Sequence, residues 1–200
     1  MRMRSIVGLA GLAVVVVAMT SCGDVVRTGR SPVIVSVNSL TATTGNISDV
    51  VKNVTTPAPC SAATPCPTTF NDVATATLAV ILKDTTATAP APTANNQVTI
   101  SRYHVEYRRT DGRNTPGVDV PFPIDGAVTA TIAAGSTGAV GFELVRHTSK
   151  EESPLVQLIN DRTIINTLTT VTFYGTDLVG NDVSASGTIQ IDFGNFGDTP

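Results

Sequence analysis

Apolar and polar residues alternate with a period of two over much of this chain, the repeat of strands buried on one face. The longest example runs from Gln97 to Thr110. There Tyr103, Val105 and Tyr107 share one face, while Arg102, His104, Glu106 and Arg108 share the other. Val98 and Ile100 fall on the opposite parity, which predicts a bulge or bend near Ser101. Pro32 to Val37 reads as a first strand, with proline at the start, where its missing N–H matters least. A weak edge strand is expected around Ile47 to Val54, a strong strand over Val73 to Leu82, and a short edge strand over Val118 to Phe122. Ala127–Ala133 and Ala139–Arg146 read as a pair joined through Gly135–Gly138. Thr167–Thr176 and Asp182–Phe193 form a closing hairpin over Leu178-Val179-Gly180-Asn181. Thr55 to Asn71 and Thr85 to Asn96 are loops rich in Pro and Thr. Lys150 to Asn160 is the one helical turn, with Glu151 and Glu152 ahead of Leu155, Leu158 and Ile159.

Seven or more strands with at most one helix argue for an all-β fold, an antiparallel two-sheet sandwich. Composition agrees. β-Branched Thr and Val fit a pleated sheet, Lys52, Lys83 and Lys150 are the only lysines, and Trp is absent. The core must therefore be built mostly from Val, Ile, Leu and Ala. Tyr103, Val105 and Tyr107 are expected in it, facing the Val171–Phe173 strand, with Arg102, Glu106 and Arg108 in solvent.

Ile100-Ser-Arg-Tyr103-His-Val105-Glu-Tyr107-Arg108 resembles the third strand of fibronectin type III and related immunoglobulin-like modules. Val171-Thr-Phe173-Tyr-Gly-Thr-Asp177-Leu-Val-Gly180-Asn181 is similar to the last hairpin of bacterial immunoglobulin-like repeats. The resemblance implies an immunoglobulin-like or fibronectin type III-like sandwich. The stretch between Thr110 and Asn166 is longer than such modules allow, so an inserted hairpin is expected there. The second strand carries Ile81 or a neighbour where the family buries Trp, and the tyrosine-corner signature is missing.

The N-terminus says where the protein resides. Arg2 and Arg4 precede an apolar run from Ile6 to Met19, and Thr20-Ser21-Cys22-Gly23 closes it. That is the layout of a secretory signal, and the run is too short for a membrane span. With Cys directly after small residues, it resembles a lipoprotein signal, which implies cleavage after residue 21 and acylation of Cys22. The expected organisation is a signal peptide at 1–21, a tether at 22–31 and one β-sandwich domain at 32–200. Gly23 after the Cys, with Asp24 one place later, favours the outer membrane by resemblance to the enteric sorting pattern, facing the periplasm or the cell surface.

Removing Arg2 and Arg4 from the 13 basic residues leaves 11 against 16 acidic, a formal charge of −5. An acidic chain makes nucleic acid a poor partner. Arg102, Arg108, Arg109 and Arg113 are interleaved with Glu106, Asp111 and Asp119, as on a solvated mixed-charge face. With Cys22 assigned to the lipid, Cys60 and Cys66 remain as an even pair in an oxidising compartment. They read as a disulfide, with free thiols the other reading.

Chemistry is sparse. His104 and His147 stand apart, no Gly-x-Ser-x-Gly occurs, and no His pair has metal spacing. Asp177, Asn181 and Asp182 crowd one hairpin with oxygen side chains of the kind Ca²⁺ takes. Turn chemistry explains the same residues, since Gly-Asn allows positive φ and Asp bonds nearby N–H groups. No catalytic residue and no cofactor is implied. The expected function is a non-catalytic binding or structural role, meeting protein or glycan. Two rivals stand beside it. One is an accessory subunit of an envelope assembly or secretion complex, pairing through an edge strand; the other is an enzyme whose site one sequence does not reveal.

Overall fold

The computed structural model describes residues 29–85 and 91–197, and strand dominates them. β1 (Val33–Ala42), β5 (Asp72–Leu82) and β8 (Ser136–Val145) form a three-stranded antiparallel sheet in the order β1-β5-β8. A five-stranded sheet takes β2 (Ile47–Asp49), β6 (Val98–Arg109), β7 (Ile124–Ile132), β9 (Ile165–Asp177) and β10 (Asp182–Gly194). Its order is β2-β10-β9-β6-β7, and it curls into a half-barrel. All its pairings are antiparallel except β2 with β10. β3 (Lys52–Val54) and β4 (Cys66–Thr68) make a small antiparallel ribbon.

Strand alternation fills one core. β1 contributes Val33 and Val35; β5 contributes Ala76, Leu78 and Val80; β8 contributes Phe142 and Leu144. Against them lie Val98, Ile100, Tyr103, Val105 and Tyr107 of β6 and Val171 and Phe173 of β9. The Phe142 ring spans the two layers, with centroids 5.3 Å from both Tyr103 and Phe173. Tilted and edge-on aromatic contacts of this kind add to the area they bury.

The break in parity along β6 is a bulge. Its register with both β7 and β9 shifts between Ile100 and Arg102, so Val98 and Ile100 point inward together with Tyr103, Val105 and Tyr107. One extra residue on one strand reverses the facing of every residue beyond it. The closing hairpin also forms as expected, its first strand two residues longer at the start and one at the end, its second one longer at the end.

Several expectations require correction. Ala127–Ala133 and Ala139–Arg146 are not partners, so the inserted hairpin does not form. β7 pairs with β6, β8 pairs with β5, and the chain crosses between sheets at Ala133–Gly135. Tyr103 and Val105 do not face Phe173 and Val171 but lie beside them in the same sheet. What faces them is β8: the Tyr107 hydroxyl donates to the Leu144 carbonyl at 2.6 Å. The Thr55–Asn71 loop contains β4, and Val118–Phe122 is no strand, with one bridge between Pro116 and Val120. The helical turn starts earlier, as α1 (His147–Lys150). A 3-10 turn at Leu155–Ile159 then buries Leu155 and Leu158.

Candidate functional site

The outer face of the five-stranded sheet is the most chemically varied surface. Register lines up Arg102, Tyr174 and Ser184 across β6, β9 and β10; His104, Thr172 and Ser186 form the next row, and Glu106, Thr170 and Thr188 the one after. The Arg102 guanidinium carbon lies 4.0 Å from the Tyr174 ring centroid. A cation over a ring at an exposed site contributes about 0.5–1 kcal/mol. Beside this pair opens a cleft of about 310 Å³, lined by Ser101, Arg102, Tyr174, Gly175, Asp182 and Ser184. The bulge shapes it. A Cβ on Gly175 would strike the Thr99 carbonyl and sit 2.9 Å from the Ile100 Cα, so only glycine lets β9 approach the bulged strand.

Several other side chains of the face are internally paired. His104 Nδ1 lies 3.0 Å from Asp125 Oδ1, Arg108 reaches Glu106 at 3.1 Å, and the Thr172 and Ser186 hydroxyls are 2.9 Å apart. Beyond it, Arg109 and Arg113 converge on Asp111 at 2.6 and 2.9 Å. Their hydrogen bonds hold the Asp111 carboxyl far below the usual carboxylate range. The four arginines therefore divide into one stacked on tyrosine and three paired with carboxylates.

A larger cavity of about 490 Å³ lies where β7 and β8 face each other, lined by Tyr103, Gly126, Gly141, Phe142, Glu143 and Arg146. Side chains cross this seam. The Tyr103 hydroxyl accepts the Glu143 N–H at 3.2 Å, and Arg146 donates to the Asp125 carbonyl at 2.5 Å. Asn71 donates to Glu143 at 2.8 Å, and its amide oxygen accepts the His147 N–H at 2.6 Å. The His147 ring stands 2.9 Å from that oxygen. The two histidines thus sit apart, each with its own partner.

Of the residues singled out from the sequence, Cys60 and Cys66 form the disulfide. Cys22 and the signal segment lie outside the described residues. Asp177 is buried, and its carboxylate is taken up by its own turn: Oδ1 accepts the N–H groups of Val179 at 3.0 Å and Asn181 at 2.8 Å, and Oδ2 accepts the Asn181 side chain at 2.9 Å. Burial pushes the Asp177 carboxyl up, but bonds from Asn181, Ser31 and Val179 outweigh it and bring it below its ordinary value. With Asn181 committed to Asp177, the arrangement is that of a turn. Among the described residues, no group of three or more His, Cys, Asp or Glu is placed to hold a metal ion.

Sequence reasoning missed a buried polar cluster. Lys150 is 1% exposed, its Nζ 3.0 Å from Asp72 Oδ1 and 2.8 Å from the Asp49 carbonyl. Ser48 donates to Asp72 Oδ2 at 2.5 Å. The cluster ties β2, β5 and α1 together beneath Tyr107, whose phenol is pushed far up by burial and secondarily by Asp72. A signal was present: Asp72 has the parity of Ala74, Ala76 and Leu78, the inward face of β5.

Fold and surface together define an all-β protein with a polar, aromatic-walled cleft on one sheet. No protein-family model matches the chain, and no curated protein matches it in sequence. Among solved structures it is similar to the X-ray structure of a Northeast Structural Genomics Consortium target. That match has 9% identity and a TM-score of 0.36, and covers 84% of this chain and 90% of the other.

Proposed function

We propose that this chain is a lipid-anchored envelope protein, carried to the outer membrane by its signal and held there through Cys22. Its domain is an immunoglobulin-like or fibronectin type III-like sandwich with a non-catalytic binding role toward protein or glycan. Strand order supports the sandwich: β1, β5 and β8 occupy the positions of strands A, B and E, and β6, β9 and β10 those of C, F and G. The observation that carries the binding role is the cleft at Arg102 and Tyr174. A guanidinium stacked on an aromatic ring, hydroxyls and a carboxylate are groups that hold a ligand by stacking and hydrogen bonds. None of the cleft's lining residues is a His or Cys that could act as nucleophile or base beside Ser101 or Ser184.

The rival reading, an accessory subunit joined through an edge strand, would have to use β1 or the β2–β10 side, the other outer strands of the two sheets. The facing edges of β7 and β8 already give Asp125 O and Glu143 N–H to Arg146 and Tyr103. Pull-down from solubilised membranes, run beside retention on glycan-coated beads, tests the reading. Capture of glycan or of a protein that is lost in both Arg102→Ala and Tyr174→Ala supports it. Capture unchanged in both variants removes the cleft as the site. Cys22→Ser tests the anchor, since a mutant that fractionates and weighs like wild type would refute acylation.

A further inference from the structure

We propose that the β9–β10 turn is a lipid-contacting tip, with Leu178 and Val179 entering the surface of the membrane that holds the anchor. The inference rests on the lipid-anchor reading above and adds how the domain sits on the bilayer.

The turn stands at the end of the fold where the chain arrives from its N-terminus. The Pro32 carbonyl accepts the Lys83 N–H at 2.9 Å just before β1 begins, and Ser31 bonds the Asp177 carboxylate that organises the turn. Nine peptide units separate Cys22 from Ser31. Even fully extended they reach only about 30 Å, so this end stays close to an acylated Cys22. Arg30 and Lys83 are exposed here and suit anionic headgroups, although Asp84 and Asp182 lie at the same end.

The tip is made for an apolar medium in two respects. Leu178 is 56% exposed and Val179 69% exposed, two consecutive large apolar side chains where turns ordinarily carry polar ones. Moreover, each backbone N–H across the tip is bonded within the protein. Leu178 donates to the Gln97 carbonyl at 3.2 Å and Gly180 to the Asp177 carbonyl at 3.0 Å, while Val179 and Asn181 donate to Asp177 Oδ1. A loop that enters lipid must satisfy its donors without water, and Asp177 does this for the turn. Gly180, at φ +88°, permits the tight reversal that leaves the two side chains projecting.

Val118 gives a matched control. It is 65% exposed, equally apolar, and lies past the far end of β6, opposite the tether. The full chain, carrying Val179→Cys or Val118→Cys labelled with an environment-sensitive fluorophore, is reconstituted into phosphatidylethanolamine–phosphatidylglycerol vesicles with nitroxide-bearing acyl chains. The expected result is a blue shift and severalfold quenching at 179, with neither at 118; Leu178→Cys should repeat the result at 179. Vesicle-bound protein whose 179 probe is quenched no more than its 118 probe overturns the tip alone, and would point to a protein partner for that turn. A chain that fails to float with vesicles overturns the anchor reading and the tip with it.

Discussion

Removing the Lys150 amine should destabilise the domain more than any surface charge change. The side chains of Lys150 and Asp72 are 1% and 7% exposed, so two charges are held out of water, a cost of several kcal/mol each that only mutual pairing and further hydrogen bonds offset. Lys150→Met leaves the Asp72 carboxylate with Ser48 as its remaining donor, and Asp72→Leu leaves the ammonium with the Asp49 carbonyl. Breaking a buried pair from one side costs about 3–5 kcal/mol, a large share of the roughly 5–15 kcal/mol that holds a typical domain folded. With a urea slope of about 2 kcal/mol/M, each single variant should unfold some 2 M earlier. The double variant Lys150→Met/Asp72→Leu removes both charges and should recover most of that loss, because an apolar replacement of a buried pair is often neutral. Urea titration followed by circular dichroism, with the disulfide kept oxidised, measures all four chains. Singles within about 0.5 M of wild type, or a double that equals the sum of the singles, would refute the argument.

Further outcomes rest on the same geometry. Cys60→Ala/Cys66→Ala opens a very short loop, so the loss should be at most about 2–3 kcal/mol, read from the urea midpoint. Val105→Asp puts an unpaired carboxylate into the core and should unfold the domain, whereas Glu106→Ala, losing only a surface pair with Arg108, should cost under about 0.5 kcal/mol; circular dichroism of both variants decides this. Because Asp177 titrates below its ordinary value when folded, its contribution is complete above the unfolded value near 3.9 and is lost as pH falls through the folded value. Asp177→Asn should therefore lower neutral-pH stability by about 1 kcal/mol and flatten the acid limb of a stability–pH profile below about pH 4.

Where burial is one-sided, the sequence was legible. The parity of β6 located the core residues and the bulge at Ser101, because only one face of that strand is apolar. Gly180 and Asn181, set between two alternating runs, marked the last hairpin. Pairing across sheets was less accessible. Nothing local tells the chain near Gly135 whether to fold β8 back on β7 or to cross to β5, since both choices bury Val140, Phe142 and Leu144; the long-range competition for the β5 edge decides. The Lys150 cluster was hidden for a related reason. A lysine in the last turn of a short helix is ordinarily solvated, and its burial depends on Asp72 and the Asp49 carbonyl, 78 and 101 residues away in sequence. The Arg102–Tyr174 cleft joins two outward positions on different strands, and each alone reads as ordinary surface.

The crossing at Gly135 leaves an edge of each sheet facing the other, and exposed edges invite pairing with other chains. The structure fills this gap with side chains rather than a ladder. Tyr103 is inward-facing on β6, and its ring lies over Gly126 of β7, where any Cβ would overlap it. Glycine at that position is thus what lets the tyrosine hydroxyl reach the β8 edge and accept the Glu143 N–H. From the other side, Arg146 spans to the Asp125 carbonyl while staying paired with Glu143 at 3.3 Å. Core packing and edge protection are therefore one device, and the same tyrosine that packs against Phe142 bridges the seam. With those two edges occupied, partners are left the outer strands β1 and β2–β10, the exposed sheet faces, one of which holds the cleft, and the turns at the two ends. On the proposed reading, recognition falls to the face at Arg102 and Tyr174 and attachment to the end at Ser31 and Val179.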